Sequence, residues 1–361
     1  MEILVFALSY LVGAISVINF FTMRTAKLVV GGALTTNATI TILAPMRNEE
    51  GNVIEFVEAI KAQKNARNVK TIIINDGSTD FTSTLLAQEV DGSSSISVIE
   101  TSAPRQGWLG KVSALQDGFE KADSEFIITL DADVRLEPYA IAAAITQIHT
   151  LKLDFISPYP RQIAGTFAEK LIQPLLHWSW MSTIVLRLAE KFPHKSTAVA
   201  NGQFFIVRKS ALDTIGGFES VSHKVLDDVE LARSLIGAGF RGVVTDGSAL
   251  ATTRMYNGFD EIRQGYGKSL STAFGGPIGS VIAIAFIALT GIAPALLALN
   301  GYIVGWIAYF MMVFTRQLSA MKSRGSLLTS FLHPLSSALL IYLIAYSWIN
   351  RGKIQWKGRT V

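Results

Sequence analysis

Two pairs of aspartates are the residues of this sequence whose types and spacing could do chemistry. Asp131 and Asp133 flank one alanine in the segment DADV, and Asp227 and Asp228 are adjacent in LDDVEL. Side chains at positions i and i+2 of an extended segment lie on one face, so Asp131 and Asp133 are predicted to address one ligand. Paired carboxylates can hold a divalent cation such as Mn²⁺ or Mg²⁺, which neutralises the charge of a departing diphosphate. A pair that only caps a turn is the alternative.

The elements that would position these aspartates are strands that alternate with helices. This order predicts the α/β class, with a mostly parallel sheet whose ligands bind at the carboxyl ends of the strands. The segment NDGSTD at 75–80 ends one predicted strand and DADV ends another, so both should line one crevice. A helix is predicted to begin at Asn48-Glu49-Glu50. The predicted strands are 39–44, 69–74, 95–99 and 125–130.

The composition excludes several other chemistries. There is no cysteine, so a disulfide, a thiolate metal site and a cysteine nucleophile are all excluded. The net charge is +4, but the basic residues are scattered rather than clustered, so nucleic acid is not expected as a partner. Metal-ligand spacing is also missing from the five histidines, which are His149, His177, His194, His223 and His333.

Long apolar segments predict a membrane protein. Half of the residues are hydrophobic, and the mean hydropathy of +0.37 is too high for an ordinary soluble domain. Segment 3–22 is uncharged and approaches the ~20 residues that a membrane-spanning helix needs, with a cleaved signal peptide as the alternative. Three further spans are predicted at 277–298, 300–315 and 327–348.

The four apolar segments predict a multi-pass protein of the cell membrane. Arg24 and Lys27 follow the first segment, so the positive-inside rule places the end of that segment, and the domain after it, in the cytosol. Four crossings would place the basic tail outside, whereas its charges favour the inside. Either the last segment, interrupted by His333-Pro334, re-enters the membrane, or the first is not a full span. The predicted parts are a transmembrane helix at 3–22, a catalytic domain at 37–270, transmembrane helices at 277–348 and a tail at 349–361.

The order of four motifs resembles that of family-two glycosyltransferases. These motifs are APMRNEE at 44–50, NDGSTD at 75–80, DADV at 131–134 and LDDVEL at 226–231. The resemblance covers nearly all of residues 39–270 and implies the GT-A fold, a Rossmann-like domain that transfers sugar from a nucleotide-diphospho sugar. It implies Mn²⁺ or Mg²⁺ as cofactor and a UDP-sugar in preference to a GDP-sugar as donor.

The resemblance also implies roles for single residues on the donor side. Asp76 would meet the nucleobase, Asp131 the ribose or a phosphate, and Asp133 the metal. Asp76 could instead cap a turn, since aspartate before Gly-Ser often does so. The residues that would line the nucleotide pocket are Pro45, Arg47 and Glu49.

On the diphosphate and acceptor sides the likeness is looser. Lys111 ends QGWLGK, which resembles a loop that presents a lysine to the nucleotide or diphosphate; a solvated lysine beside a glycine turn is the alternative. Gly202 and Gln203 belong to ANGQFF, which resembles the acceptor side of the fold, although structural turns would explain it too.

An inverting transfer in one step needs a general base for the acceptor's proton. Asp228 matches the second acidic residue of the family's ED-type motif, and Asp227 replaces the usual glutamate and would contact substrate. Capping of the following helix is the alternative for Asp228. If the acceptor is a carboxylate, Asp228 would orient it rather than take a proton.

The C-terminal part resembles the membrane glycosyltransferases of carotenoid and hopanoid pathways, through features such as Arg254-Met255-Tyr256 and His333-Pro334. This implies a membrane lipid as acceptor: a carotenoid, a hopanoid, another terpenoid or a glycolipid. A processive polysaccharide synthase would carry QxxRW, which 263–268 fits poorly. That synthase, a polyprenyl-phosphate sugar transferase and an inactive membrane binding protein are the alternatives. The apolar stretch 167–181 predicts either an interfacial helix or a buried core helix.

Overall fold

The computed structural model describes residues 1–27, 35–353, 355–357 and 359–360. These residues form two compact units. The first, which we call the sheet unit, comprises Arg24–Arg161 and Ala189–Thr253. The second, which we call the helical unit, comprises Met1–Met23, Gln162–Leu188 and Arg254–Val361.

The strands occur mainly in the sheet unit. They are β1 (Thr36–Met46), β2 (Ala66–Asp76), β3 (Ile96–Thr101), β4 (Phe126–Leu130), β5 (Val134–Leu136), β6 (Phe155–Tyr159), β7 (Arg161–Gln162), β8 (Phe204–Arg208), β9 (Gly242–Asp246), β10 (Ala251–Thr253), β11 (Gln355–Trp356) and β12 (Arg359–Thr360).

The helices alternate with these strands and then continue without them. They are α1 (Glu2–Thr22), α2 (Val53–Lys61), α3 (Thr82–Val90), α4 (Gly110–Phe119), α5 (Ala140–Leu151), α6 (Phe167–Thr183), α7 (Leu186–Lys191), α8 (Lys209–Thr214), α9 (Asp227–Gly237), α10 (Phe259–Ala273), α11 (Pro277–Ile287), α12 (Ala293–Leu299), α13 (Ile303–Ser323) and α14 (His333–Ile349).

Among the described residues, the central sheet has seven strands in the order β3-β2-β1-β4-β8-β6-β9. Neighbours are parallel except that β8 runs antiparallel to both β4 and β6. The prediction of a mostly parallel α/β sheet is therefore confirmed. All four predicted strands exist, as β1 to β4, with ends that differ by up to three residues.

Both faces of this sheet are buried, which is why its strands are continuously apolar. Along β1, Ile40 and Ile42 point into one hydrophobic cluster with helices α2, α3 and α5. Leu43 points to the opposite face, where α4, α8 and α9 cover it. Because side chains alternate along a strand, this one segment anchors both layers and fixes the edge at which the strands end.

The predicted helix start at Asn48-Glu49-Glu50 is wrong, since α2 begins at Val53. Asn48 has a φ of 52°, in the left-handed region, which asparagine tolerates better than most residues. The next two backbone N–H groups donate to side chains, Thr82 Oγ1 at the start of α3 and Asp80 Oδ2 in the loop before it, rather than within a helix. The asparagine therefore turns the chain into a loop.

The helical unit contains helices that are long and apolar enough to cross a membrane. Four such segments occur in the described residues: Glu2–Thr22, Pro277–Leu299, Ile303–Ser323 and Leu328–Ile349. The His333-Pro334 pair stands at the start of α14, where proline is tolerated because the first turn has no intrahelical use for its N–H. That pair therefore does not interrupt the last segment. The predicted tail at 349–361 lies partly outside the described residues.

The sequence-based domain boundary of 37–270 differs from the division in the structure. Residues 162–188 and 254–270 belong to the helical unit. In α6, Trp178 Nε1 donates to Thr315 Oγ1 at 2.9 Å, and His177 Nδ1 lies 2.7 Å from Ser319 Oγ. The apolar stretch 167–181 thus packs inside the helical unit against α13, which corresponds to the buried alternative.

Candidate active site

The loops after β1 and β2 are held together by hydrogen bonds between their polar residues. Arg47 Nη1 donates to the backbone carbonyls of Asp76 and Gly77, at 2.6 and 2.8 Å. The Asn48 N–H donates to Ser78 Oγ at 3.0 Å. Gly77 has a φ of 59° and lies against the backbone of Thr101, so the turn favours a residue without a side chain. These contacts form one rigid rim at the carboxyl ends of β1 and β2.

All four residues predicted to contact the nucleotide from these two loops lie on this rim. Pro45 is opposite Ile74 in the register of β1 and β2. Asp76, 5% exposed, ends β2, and its Oδ1 lies 3.4 Å from Thr101 Oγ1. The Glu49 side chain accepts from Asn52 Nδ2 at 2.9 Å. The Arg47 side chain contacts backbone carbonyls of the loop after β2. Its position on the rim is therefore explained by a structural role as well as by the predicted contact with the nucleotide.

The DAD segment is a turn rather than an extended strand end. The Val134 N–H donates to the Asp131 carbonyl at 3.1 Å, which closes the turn between β4 and β5. The premise that positions i and i+2 share a strand face is therefore wrong for this segment. The two carboxylates are nevertheless close enough for the charge of Asp131 to raise the pKa of Asp133. A tight turn, rather than the alternation of side chains along a strand, brings the two carboxylates together.

Lys111 forms an ion pair with Asp131, with 2.7 Å between Nζ and Oδ1. Burial alone lowers the pKa of Lys111, but Asp131, Asp227 and Asp228 together hold it well above its ordinary value. The lysine is consequently charged at any physiological pH. Lys111 stands in the first turn of α4, which begins at Gly110.

Asp133 is connected to the strand β10 and to the segment before β8. Thr253 Oγ1 donates to Asp133 Oδ2 at 2.8 Å, and Gln203 Nε2 donates to Thr253 Oγ1 at 3.3 Å. The Gln203 carbonyl also accepts the Asp131 N–H at 3.1 Å. Burial is the main cause that raises the pKa of Asp133 to about 6, and the charges of Asp131 and Glu49 add to it.

Asp228 stands in the first turn of α9, where it contacts the segment before β8. Its Oδ2 accepts the Gly202 N–H at 2.6 Å, and its Oδ1 accepts the Val229 N–H at 2.8 Å. Burial first and Asp227 second raise its pKa to about 6, although Lys111 and both backbone donors lower it. A carboxyl group with a pKa near neutrality is suited to accept a proton.

The donor set fits a divalent cation that is shared with a diphosphate. No group of three or more His, Asp or Glu side chains that could hold a cation alone exists among the described residues. Asp133, with its raised pKa, forms no ion pair with a lysine or arginine in that part of the chain. Mg²⁺-like ions commonly use one or two carboxylates plus substrate phosphates and water. Asp133, with Asp131 beside it, matches that requirement.

The predicted residues therefore form two neighbouring groups at one edge of the sheet. The rim after β1 and β2 is connected to the carboxylates through the charge of Glu49 on Asp133. The sequence did not reveal Thr253 or Asn201, whose side chains bond Asp133 and the Gln203 N–H. Thr253 stands in no motif, and Asn201 belongs to the ANGQFF segment but was given no role there, so only the pairing of distant segments could identify these contacts. The second group consists of Lys111, Asp131, Asp133, Gly202, Gln203, Asp227 and Asp228.

Residues 41–216 match the model of the family described as "Glycosyl transferase family 2". This range includes the rim, Lys111, the DAD turn and Gly202-Gln203, whereas the Asp227-Asp228 pair follows it.

Similar proteins and structures extend over most of the chain. A 4,4'-diaponeurosporenoate glycosyltransferase of Staphylococcus aureus strain MRSA252 is 25% identical over 336 residues, which are 89% of this chain and 87% of that protein. The protein of the same name from strain bovine RF122 / ET3-1 is 24% identical over an equal length. The structure of a mannosyltransferase from Pyrobaculum calidifontis, in complex with GDP-Man and Mn²⁺, matches with a TM-score of 0.58 at 17% identity, covering 97% of this chain and 98% of that one. This last likeness supports the GT-A fold.

Proposed function

We propose that this chain, a glycosyltransferase with a family 2 domain at residues 41–216, transfers a hexose from a nucleotide-diphospho sugar to a membrane lipid. One observation carries the proposal. Lys111 on α4, Asp131 and Asp133 in the DAD turn and Asp228 on α9 meet at the edge where β4 ends. A single displacement on a nucleotide sugar needs a positive charge for the diphosphate, a site for a divalent cation and a base. Lys111, the DAD turn and the Asp228 carboxylate of raised pKa can supply these three.

On the donor side, the rim after β1 and β2 takes the nucleotide, with Pro45, Arg47 and Glu49 lining it and Asp76 beneath the base. Asp133 and Asp131 would hold Mn²⁺ or Mg²⁺, which when bound neutralises charge on the diphosphate. Lys111 exchanges its pairing with Asp131 for a diphosphate oxygen as negative charge develops there. We propose a UDP-sugar as donor; the related mannosyltransferase structure holds GDP-Man, so both nucleotides belong in the test.

On the acceptor side, Asp228 takes the proton of an acceptor hydroxyl while that oxygen bonds to the anomeric carbon. The bond from this carbon to the diphosphate breaks in the same step, with inversion, and the nucleoside diphosphate leaves. The Gly202 and Val229 N–H groups fix the Asp228 carboxylate, and burial together with the charge of Asp227 keeps the pKa of Asp228 raised. With a carboxylate acceptor there is no proton to remove, and Asp228 orients the acceptor.

A lipid acceptor is supported by the four helices long enough to cross a membrane. The relatives from Staphylococcus aureus are named for transfer to diaponeurosporenoate, a member of the carotenoid class. We propose an acceptor of this kind, a carotenoid, hopanoid, other terpenoid or glycolipid, reached by a multi-pass protein of the cell membrane with its catalytic domain in the cytosol.

The test is a transfer assay on membranes that contain the full chain. Labelled UDP- and GDP-sugars are supplied with and without Mn²⁺, and the lipid extract is separated and counted. We expect label in a lipid product that requires Mn²⁺ and falls by about 10²–10⁴-fold in Asp228→Asn when the acceptor is a hydroxyl. Asp213→Asn, on the surface helix α8, is the matched control. Metal-independent labelling that survives Asp228→Asn, or label only in water-soluble polymer, would overturn the proposal.

A further inference from the structure

A buried arginine lies inside one of the apolar helices of the helical unit. Arg316 stands on α13, within the candidate membrane span Ile303–Ser323, and is 2% exposed. No ion pair in the described part of the chain includes it. A charged side chain in such a helix is costly, and it normally pairs with an opposite charge or serves a function.

The partner of Arg316 within the described residues is a histidine at the start of α14. Arg316 Nη1 lies 3.3 Å from His333 Nδ1. Because a guanidinium can only donate, His333 Nδ1 must accept, and the proton of the neutral ring is then on Nε2. His333 is 1% exposed, and its Nε2 has no hydrogen-bond partner in the described structure. The pair thus presents a buried Nε2–H without a partner in the described structure, beside a guanidinium that has no ion pair there.

The neighbouring residues hold this pair in place. The ring of Trp178 packs edge-on against His333, with 5.0 Å between the ring centroids, and Trp178 Nε1 donates to Thr315. Gly291 lies in a π-helical turn between α11 and α12, where a Cβ would collide with Ser337 Oγ and stand 3.5 Å from His333 Nε2. Ser337 on α14 therefore packs closely against Gly291, beside the His333 ring.

The position of the pair along the helix indicates the kind of ligand. Arg316 is seven residues before the end of α13 at Ser323, which places it about 10 Å in from that end. A guanidinium without an ion pair calls for an anion, and it binds carboxylate and phosphate through two parallel hydrogen bonds. An anion on an apolar chain can enter from the bilayer, whereas a free anion would have to shed its water first.

We propose that Arg316 and His333 form a binding site for an acidic lipid, a long apolar chain that ends in a carboxylate or a phosphate. Arg316 pairs with the anionic end, and His333 donates its Nε2–H to a second oxygen. This site goes beyond the proposed sugar transfer, because lipid binding to it can be measured in the absence of any donor sugar.

The experiment uses the full chain in phosphatidylcholine nanodiscs and measures equilibrium binding of radiolabelled oleate. Methyl oleate, oleyl phosphate and inorganic phosphate are the competitors. We expect saturable binding with one site per chain, displacement by oleyl phosphate, and no displacement by methyl oleate or by inorganic phosphate. Displacement by methyl oleate as effective as by oleate would show that the apolar chain alone is bound. Displacement by inorganic phosphate would show a site for free anions. Either result, or no saturable binding, overturns the proposal.

Variants locate the site. Arg316→Gln should weaken oleate binding at least tenfold, and Arg324→Gln, the same change at the exposed end of the same helix, should leave it unchanged. Arg316→Lys keeps the charge and should lose less affinity than Arg316→Gln. If Arg316→Gln fails to fold, Arg316→Lys together with the competition on the wild type still decides. Equal binding by wild type and Arg316→Gln refutes the assignment.

Discussion

Replacement of Lys111 by methionine should shift the pH dependence of sugar transfer, not merely reduce its rate. Lys111 Nζ lies 2.7 Å from Asp131 Oδ1, and its charge lowers the pKa of Asp228, which burial and Asp227 raise to about 6. Methionine has nearly the same length and no charge. In Lys111→Met, Asp228 therefore faces Asp227 without the opposing cation.

The magnitude follows from the charges around Asp228. An opposite charge within about 4–6 Å changes the pKa of a carboxyl group by about 1–3 units. Loss of Lys111 should then raise the pKa of Asp228 from about 6 to about 7–9. At pH 7 the ionised fraction would fall from about nine-tenths to between about one-half and one-hundredth. Base catalysis by Asp228 needs the ionised form, so activity is lost at neutral pH and returns as the pH rises.

The assay is the pH profile of kcat/KM for transfer, which reports ionisations of the free enzyme. Lys111→Met should move the acidic limb upward by about 1–3 pH units, while Lys111→Arg should keep it near the wild-type position. Lys209→Met is the matched control, because Lys209 pairs with Asp213 on the surface. A Lys111→Met enzyme of reduced rate with an unmoved acidic limb would refute the coupling of Lys111 to Asp228.

Two further substitutions test separate parts of the structure. Gly202→Ala should lower kcat about tenfold with little change in donor KM, because the new Cβ would stand 3.1 Å from Asp228 Cβ and displace the carboxylate. Gly325→Ala is the control, since its Cβ meets only ordinary contacts. An unchanged kcat in Gly202→Ala would contradict the position of Asp228. Glu169→Gln should lower the thermal midpoint of unfolding by about 5 °C. The fully buried Glu169 accepts from the Gly165 and Gly258 N–H groups. The amide of glutamine would leave one of these N–H groups without an acceptor, which costs about 1–3 kcal/mol of stability. An unchanged midpoint, measured by tryptophan fluorescence, would contradict that role.

The fold was predictable where the sequence pattern is local. The first four strands and the apolar helices follow from runs of apolar residues, and their polar ends identify the edge of the sheet that carries the site. β8 was not predicted, although 204–207 is apolar, because its antiparallel insertion between β4 and β6 depends on pairing with distant segments. That insertion is what brings Gln203 beside the DAD turn.

The site was predictable as a set of residues, but its local geometry was not. The spacing of Asp131 and Asp133 suggested a shared strand face, and a turn closed by Val134 brings them together instead. Capping was an open alternative for Asp228, and its Oδ2 in fact contacts Gly202, 26 positions earlier in the chain. Such contacts depend on how the loops pack, which no spacing of motifs encodes.

Binding of a nucleoside diphosphate tests the central claim most directly, that Asp133 forms the metal-dependent part of a nucleotide-sugar site. Calorimetric titration of the full chain with UDP and with GDP, each with and without Mn²⁺, should show at least about tenfold tighter binding with the metal for the preferred nucleotide. Asp133→Asn should abolish this difference, and Asp123→Asn, the same change at an exposed loop, should retain it. An Asp133→Asn protein whose affinity still rises with Mn²⁺ as in the wild type would contradict the account.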